Sequence, residues 1–137
     1  MKREDLMIGD WVLLTDLDYG VRVECLCLTD MFWRSGEEAI SKTPYEKVEP
    51  LYLHQDILRD NGFELVEVGD HGAATPAQYR DRFEKWMART KWRDIVIWYD
   101  RRTETYNLKD MGAAKIKYIH ELQHALKLSG IEKDIEL

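Results

Sequence analysis

Two histidines and a glutamate near the end of the sequence have the spacing of a zinc-hydrolase motif. Residues 120 to 124 read His-Glu-Leu-Gln-His, which is the HExxH pattern. In a helix this pattern places two imidazoles one turn apart, where they bind zinc, and the glutamate takes a proton from the metal-bound water. The motif therefore raises the alternative that the protein is a zinc-dependent hydrolase, with His120 and His124 as ligands and Glu121 as the base.

The remainder of the sequence argues against a catalytic zinc ion. A catalytic site needs a third protein ligand, and no His or Glu follows the motif at the spacing that zinc proteases use. The last helix is predicted over 113–128, and its apolar stripe places His120 and His124 on the flank of the helix. We therefore expect no cofactor and no catalytic residue. The donors that a zinc site could still recruit are His54, His71, Glu132, Asp134 and Glu136.

The length and composition of the chain indicate a folded protein of the size of one ordinary domain. It has 137 residues, of which 45% are hydrophobic and 11% aromatic, enough for a packed core. No segment approaches the about 18 apolar residues that a membrane-spanning helix needs, and residues 1–5 lack the apolar run of a secretion signal. These observations predict a cytoplasmic protein that does not bind membranes.

The two cysteines, Cys25 and Cys27, also indicate a cytoplasmic protein. They are too few for a disulfide scaffold, and neighbours two positions apart rarely have disulfide geometry. Because they lie two apart on a predicted strand, their side chains share one face. We expect reduced thiols that are buried as small apolar groups.

The hydrophobic pattern predicts an α+β protein with two units that pack together as one compact body. Residues 1–50 form a small antiparallel β unit, either barrel-like or a curled sheet, built from three or more short strands. The polar segment 42–50 holds two of the three prolines and is expected to be a connector. Residues 51–137 form an α+β unit, in which a sheet of three to four strands is covered by two helices.

Several elements of the second unit can be placed in the sequence. A short helix over 54–61 ends at Gly62, a strand covers 63–68, and a hairpin covers 94–108. A longer helix is expected to begin at Thr75 and Pro76, with Gln78 completing a capping box. Residues 131–137 are expected to add a closing strand. The apolar residues that follow the start of the longer helix at helical spacing are Tyr79, Phe83, Trp86 and Met87.

A basic stretch with interleaved aromatic residues covers 79–102. It carries a net charge of +4, whereas the whole chain carries −6. Cations beside aromatic rings can hold phosphates and stack bases, which raises nucleic-acid binding as a second alternative. The same charges also fit the solvent-exposed face of an amphipathic helix. The candidate binding residues are Arg82, Arg89, Trp92, Arg93, Arg101 and Arg102.

A protein partner is nevertheless favoured over nucleic acid. Residues 1–70 carry a net charge of −9 and residues 71–137 carry +3, and an acidic chain argues against general nucleic-acid binding. Exposed Trp and Arg side chains, such as Trp92 and Arg93, are enriched at the centres of protein interfaces. The acidic half can dock on a basic surface of a partner or of a second copy of the chain, which allows a homodimer.

Residues at both ends and in the middle of the chain carry a family resemblance. They are Ile8–Val12, Val48–Leu51, Ile57–Leu58, Asn61–Phe63 and Lys117–His124. These segments resemble a family of small uncharacterised proteins encoded by gut Bacteroidales and their prophages, which has no established activity. In that family the last helix often keeps a His-x-Leu-Gln core, whereas the positions of Glu121 and His124 vary. The resemblance implies that His120, Leu122 and Gln123 serve packing or hydrogen bonding.

Together these observations predict a non-catalytic accessory protein of prophage or mobile-element type that binds a macromolecular partner. A protein is the expected partner, a membrane is not, and no metal is expected. The zinc-dependent hydrolase and nucleic-acid binding through residues 79–102 are the two alternatives.

Overall fold

The fold is described by a computed structural model over residues 1–69, 82–109 and 115–137. These residues form an α+β protein with nine strands in two antiparallel sheets and two α-helices, which confirms the predicted class. The contacts divide the chain into two units. The first unit is Met1–Tyr52 with Tyr118–Gln123, and the second is Leu53–Lys117 with His124–Leu137. Within the described ranges, no helix is long and apolar enough to cross a membrane.

The first unit contains a five-stranded antiparallel sheet. Its strand order is β4-β3-β2-β1-β5, so that the first four strands form a meander and the fifth pairs with the first. Two 3-10 turns, Arg3–Asp5 and Tyr45–Lys47, precede β1 and β5. The strands are β1 Trp11–Leu14, β2 Tyr19–Leu26, β3 Asp30–Arg34, β4 Ile40–Pro44 and β5 Val48–Pro50.

The prediction of a connector over 42–50 was wrong. The segment contains the end of β4, a 3-10 turn and β5, all of which belong to the first unit. The edge strand β4 pairs along its whole length with β3 but buries none of its side chains, so it lacks the apolar alternation that marks a half-buried strand. Pro44 is tolerated because it ends an edge strand, where no backbone donor is required.

Alternating apolar residues build the core of the first unit. In β1, Val12 and Leu14 are buried, and Trp11 and Leu13 are only half-buried, as expected when successive side chains point to opposite faces. The same alternation holds for the first half of β2 and for β3. The buried residues of this core are Leu6, Val12, Leu14, Val21, Val23, Met31, Trp33 and Val48.

A β-bulge in β2 overturns the prediction that Cys25 and Cys27 are buried. Val23 pairs with Trp33 and Cys25 pairs with Phe32, so Glu24 is an extra residue on its strand. Beyond the bulge the two faces are exchanged, and Leu26 packs against the core instead of Cys25. Both cysteines are exposed free thiols.

We expect both thiols to react in the native protein. Ellman's reagent added without denaturant should titrate two thiols per chain, because neither Cys25 nor Cys27 is covered by other residues. The same titration in denaturant provides the control and should give an unchanged count. A native count below two would show that the bulge does not place both side chains in solvent.

The second unit contains a four-stranded antiparallel sheet in the order β6-β7-β8-β9. The predicted short helix, the strand after it and the hairpin are all confirmed. Gly62 has a φ of +84° and ends the helix α1, with the Phe63 N–H bonded to the Leu58 carbonyl at 2.9 Å. The elements are α1 Gln55–Asp60, β6 Glu64–Gly69, β7 Phe83–Arg89, β8 Asp94–Asp100 and β9 Thr105–Leu108.

The apolar stripe that predicted a longer helix belongs, in its described part, to strand β7. The proposed helix start at Thr75 to Gln78, with Tyr79, lies outside the described residues. Glu84, Trp86 and Ala88 are buried and alternate with half-buried neighbours, which is the period of a strand. Positions 83, 86 and 87 are also compatible with a helix, so the spacing was ambiguous. Because all seven residues of β7 pair with β8, this segment forms a strand and not a helix.

The last helix and the chain end also differ from expectation. Helix α2 covers Ile119–Leu128, and the Ile116 backbone, expected to be helical, exchanges two 2.7 Å hydrogen bonds with Tyr106 instead. Residues 131–137 form no strand. They are held by Asn61, whose side chain accepts from the Glu136 N–H and donates to the Glu136 carbonyl, both at 2.8 Å. A side-chain amide thus takes the place of a strand partner.

Candidate functional site

Glu121 of the HELQH motif caps its own helix. Because α2 begins at Ile119, Tyr118 is the residue just before the helix and Glu121 is its third residue. The Glu121 Oε1 atom accepts the Tyr118 backbone N–H at 3.0 Å, which is half of a capping box. A carboxylate in the first turn also interacts favourably with the helix dipole. The carboxylate that would act as a base in a hydrolase therefore stabilises the helix start.

Gln123 anchors the same helix to the start of β1. Its Oε1 atom accepts the Trp11 N–H at 2.9 Å, and its Nε2 atom donates to the Gly9 carbonyl at 2.9 Å. The amide thus pairs with the backbone as a neighbouring strand would. Gly9 itself has a φ of +94°, a conformation that side chains disfavour, and its N–H bonds to the Val23 carbonyl at 2.7 Å.

The two histidines of the motif differ in environment. His120 is buried and its ring stacks on the Tyr118 ring, with centroids 5.8 Å apart. His124 is half-buried. Across residues 1–69, 82–109 and 115–137, no three His, Cys, Asp or Glu side chains form a group that could hold a metal ion. Of the donors considered above, His71 lies outside these ranges.

The candidate binding residues lie at opposite ends of the β7–β8 pair. The seven paired positions run from Arg89 opposite Asp94 to Phe83 opposite Asp100, a distance of roughly 20 Å at the usual rise of a strand. Arg89, Trp92 and Arg93 are at one end; Arg82, Arg101 and Arg102 are at the other. The basic stretch is therefore divided in space, although it is continuous in sequence.

Two of these arginines form ion pairs with buried carboxylates. Arg82 bonds to Asp100 with both its Nε and Nη2 atoms, at 3.0 and 2.8 Å. Arg101 bonds to Glu84 at 2.9 and 2.8 Å, and the second oxygen of Glu84 accepts the Trp86 indole N–H at 3.0 Å. Since buried carboxylates need partners, both guanidinium groups contribute to holding the sheet together.

The other end of the β7–β8 pair exposes an aromatic side chain. Trp92 is 84% exposed, and the Lys91 ammonium lies 5.0 Å from its ring centroid. The turn is closed by Thr90, whose backbone N–H bonds to the Arg93 carbonyl at 3.0 Å. The Arg93 side chain donates to the Ser129 carbonyl at 2.6 Å. Trp92 is therefore available to solvent on a firmly held turn.

A groove in the first unit was missed by the sequence reasoning. It has a volume of about 530 Å³, and the Arg22 guanidinium lies 5.4 Å from the Trp11 ring centroid. Arg34 forms a 3.5 Å ion pair with Glu24 within the groove. The alternation of residues along the strands could have indicated this groove, because Trp11 and Arg22 alternate with buried valines and must face outward. The groove is lined by Trp11, Tyr19, Gly20, Val21, Arg22, Glu24, Arg34, Ser35, Gly36 and Glu37.

Comparisons with protein-family models, curated proteins and solved structures gave no match for this chain.

The capping role of Glu121 predicts an order of stability among variants. Glu121→Ala should lower the free energy of unfolding by about 1 kcal/mol, because it removes a cap. Glu121→Gln should cost less, since glutamine can accept the same Tyr118 N–H. Urea unfolding followed by circular dichroism measures both changes. Equal losses in the two variants, or no loss in either, would contradict the capping role.

The Arg82–Asp100 pair predicts an acid-dependent contribution to stability. The hydrogen bonds from Arg82 hold the pKa of Asp100 below its usual value of 3.8. A carboxyl with a lowered folded-state pKa stabilises fully above its unfolded pKa, and this contribution is lost as the pH falls through the folded pKa. Asp100→Asn should therefore cost about 1–3 kcal/mol at neutral pH and give a flatter stability profile below pH 3.8.

The matched control for this variant is Asp56→Asn. Asp56 pairs with Arg59 at 3.1 Å, but its side chain is 87% exposed, and exposed pairs contribute about 0–1 kcal/mol. Denaturant unfolding at a series of pH values compares the two variants. If their profiles coincide, the Asp100 pair does not have the stabilising role assigned to it.

Proposed function

We propose that this protein is a non-catalytic binding protein whose first unit holds an extended segment of a protein partner. The observation that carries the proposal is the groove of about 530 Å³ in which Arg22 lies over the Trp11 ring. An aromatic ring offers apolar contact area, and a guanidinium offers directed hydrogen bonds to carboxylates. The groove is suited to a segment with proline or other apolar residues beside an acidic one.

The architecture of the first unit supports this choice. We infer that it is a small barrel of the SH3-like kind, because four strands form a meander and a 3-10 turn precedes a fifth strand that pairs with the first. SH3 domains dock extended proline-rich segments in grooves lined by aromatic residues. This support is an analogy of fold, whereas the groove residues Trp11, Tyr19 and Arg22 are the direct support.

The charge of the first unit favours a protein over a nucleic acid. Residues 1–52 and 118–123, which form this unit, carry 6 basic and 12 acidic side chains, a net charge of −6. Such a surface repels phosphates, on which nucleic-acid affinity depends. In the basic stretch of the second unit, Arg82 and Arg101 are bonded to buried carboxylates. These two arginines are therefore less available to bind phosphates. A protein is therefore the partner that we propose.

The contacts of the HELQH helix support a non-catalytic role. Glu121 caps the helix, Gln123 bonds to the backbone of β1, and Leu122 is fully buried. This pattern is compatible with the resemblance to the prophage-associated family, in which the His-x-Leu-Gln core is often kept and the positions of Glu121 and His124 vary. We propose the same origin for this protein. We also propose a reducing, cytoplasmic location, for which the free thiols of Cys25 and Cys27 are the support.

The proposal is tested with an array of immobilised peptides that combine proline-rich and acidic sequences. The wild-type protein should bind a subset of them above scrambled controls. Trp11→Ala should weaken that binding by roughly 30-fold, the effect of losing a central aromatic contact of about 2 kcal/mol. The control is Trp92→Ala, which removes an exposed tryptophan of the second unit and should leave binding unchanged. Circular dichroism establishes that both variants are folded.

Either of two results, one from this array and one from an oligonucleotide-binding measurement, would overturn the proposal. One is an array without specific binding, or binding that depends on Trp92 and not on Trp11. The other is tight binding of a single-stranded oligonucleotide that falls steeply with salt and is weakened by Arg89→Glu, which would favour the nucleic-acid alternative.

A further inference from the structure

We propose that Cys25 and Cys27 form a chelating site for a thiophilic divalent cation of the Zn²⁺ or Cd²⁺ class. Their Sγ atoms are 3.9 Å apart, and both side chains are exposed. The pair lies in the first unit and shares no residue with the HELQH motif or with the groove. Nothing in the proposed binding of a protein segment depends on it.

The distance between the two sulfurs fits one shared ion. Two Zn–S bonds of about 2.3 Å at the tetrahedral angle place their sulfurs about 3.8 Å apart. A linear two-coordinate ion would need about 4.6 Å at the same bond length. The observed 3.9 Å is therefore close to two vertices of a tetrahedron. The other two vertices are open to water or to a second molecule, because both thiols face solvent.

Hydrogen bonds hold the backbone that carries the two cysteines. Cys25 is paired with Phe32 in the sheet. Cys27 is held through both of its backbone polar groups. Its N–H donates to the Asp30 carbonyl at 3.0 Å, and its carbonyl accepts the Tyr45 hydroxyl at 2.5 Å. Donors that are already in position lose less conformational freedom on binding. The bulge at Glu24 brings both side chains to the same exposed surface.

Binding exchanges protons for the cation. A cysteine sulfur binds a divalent cation as the thiolate, so the thiol must lose its proton on binding. Each thiol gives its proton to solvent as its sulfur bonds to the ion, and two protons leave for each ion that binds. The Asp30 carboxylate near Cys27 favours a cation and the Arg3 guanidinium opposes it, whereas the release of two protons favours binding at higher pH. Affinity should therefore rise with pH, by up to about a hundredfold per pH unit.

The test is a titration of the reduced, full-length protein with Cd²⁺, followed by the ultraviolet charge-transfer absorption of Cd–thiolate bonds. One ion per chain, or one ion per two chains if a second molecule completes the tetrahedron, should bind with the predicted pH dependence. Cys25→Ser and Cys27→Ser should each weaken binding by about a hundredfold, because each removes one of two tethered donors. Competition with a chromophoric chelator measures Zn²⁺ affinity in the same variants.

The matched control is His124→Ala, which alters the HELQH motif and should leave Cd²⁺ binding unchanged. Serine is close in size to cysteine and both positions are exposed, so the variants should fold as the wild type does. Unchanged binding in either serine variant would show that the two thiols do not act as a chelate. Loss of binding in His124→Ala would move the metal site to the HELQH helix, and absence of a charge-transfer band would overturn the proposal outright.

Discussion

The hydrogen bonds of the Gln123 amide determine which side chains of the last helix are buried. One amide satisfies a backbone donor and a backbone acceptor at the start of β1, at Trp11 and Gly9. Trp11 begins β1 and Gly9 lies two residues before it, and the Gly9 carbonyl also accepts the Arg22 Nε–H at 3.2 Å. Because Gln123 is fixed, the rotation of the helix about its axis is fixed as well. That rotation puts Leu122 in a fully buried position and stacks His120 on Tyr118.

The HELQH motif illustrates how a local pattern acquires its meaning from its context. Its spacing meets the local requirement of a zinc site, which is two imidazoles on one helical face. The same spacing places a glutamate at the third position of a helix, where it can cap the preceding residue. In this chain the helix begins at Ile119, so Glu121 has that position. Had the helix begun at residue 113, as predicted, Glu121 would lie in its interior and could not cap it.

The elements with local determinants were predicted from the sequence. Helix α1 ends at a glycine that adopts a positive φ, and the hairpin of β8 and β9 turns where polar residues interrupt the apolar run. Elements whose own residues carry no distinctive pattern were not predicted. Strand β7 is determined by its partner β8, and edge strand β4 has no buried side chain to reveal it. The groove was missed because it combines residues from β1, β2 and β3, whose registers no local pattern supplies.

The alternation of side chains along β2 decides what the first unit exposes. Val21 and Val23 point into the core, so Arg22 must point outward, where it meets the Trp11 ring. Without the bulge this alternation would continue, burying Cys25 and exposing Leu26. The extra residue Glu24 exchanges the two faces, so that Leu26 returns to the core and the thiols reach solvent. One inserted residue therefore maintains the core and also creates the exposed thiol pair.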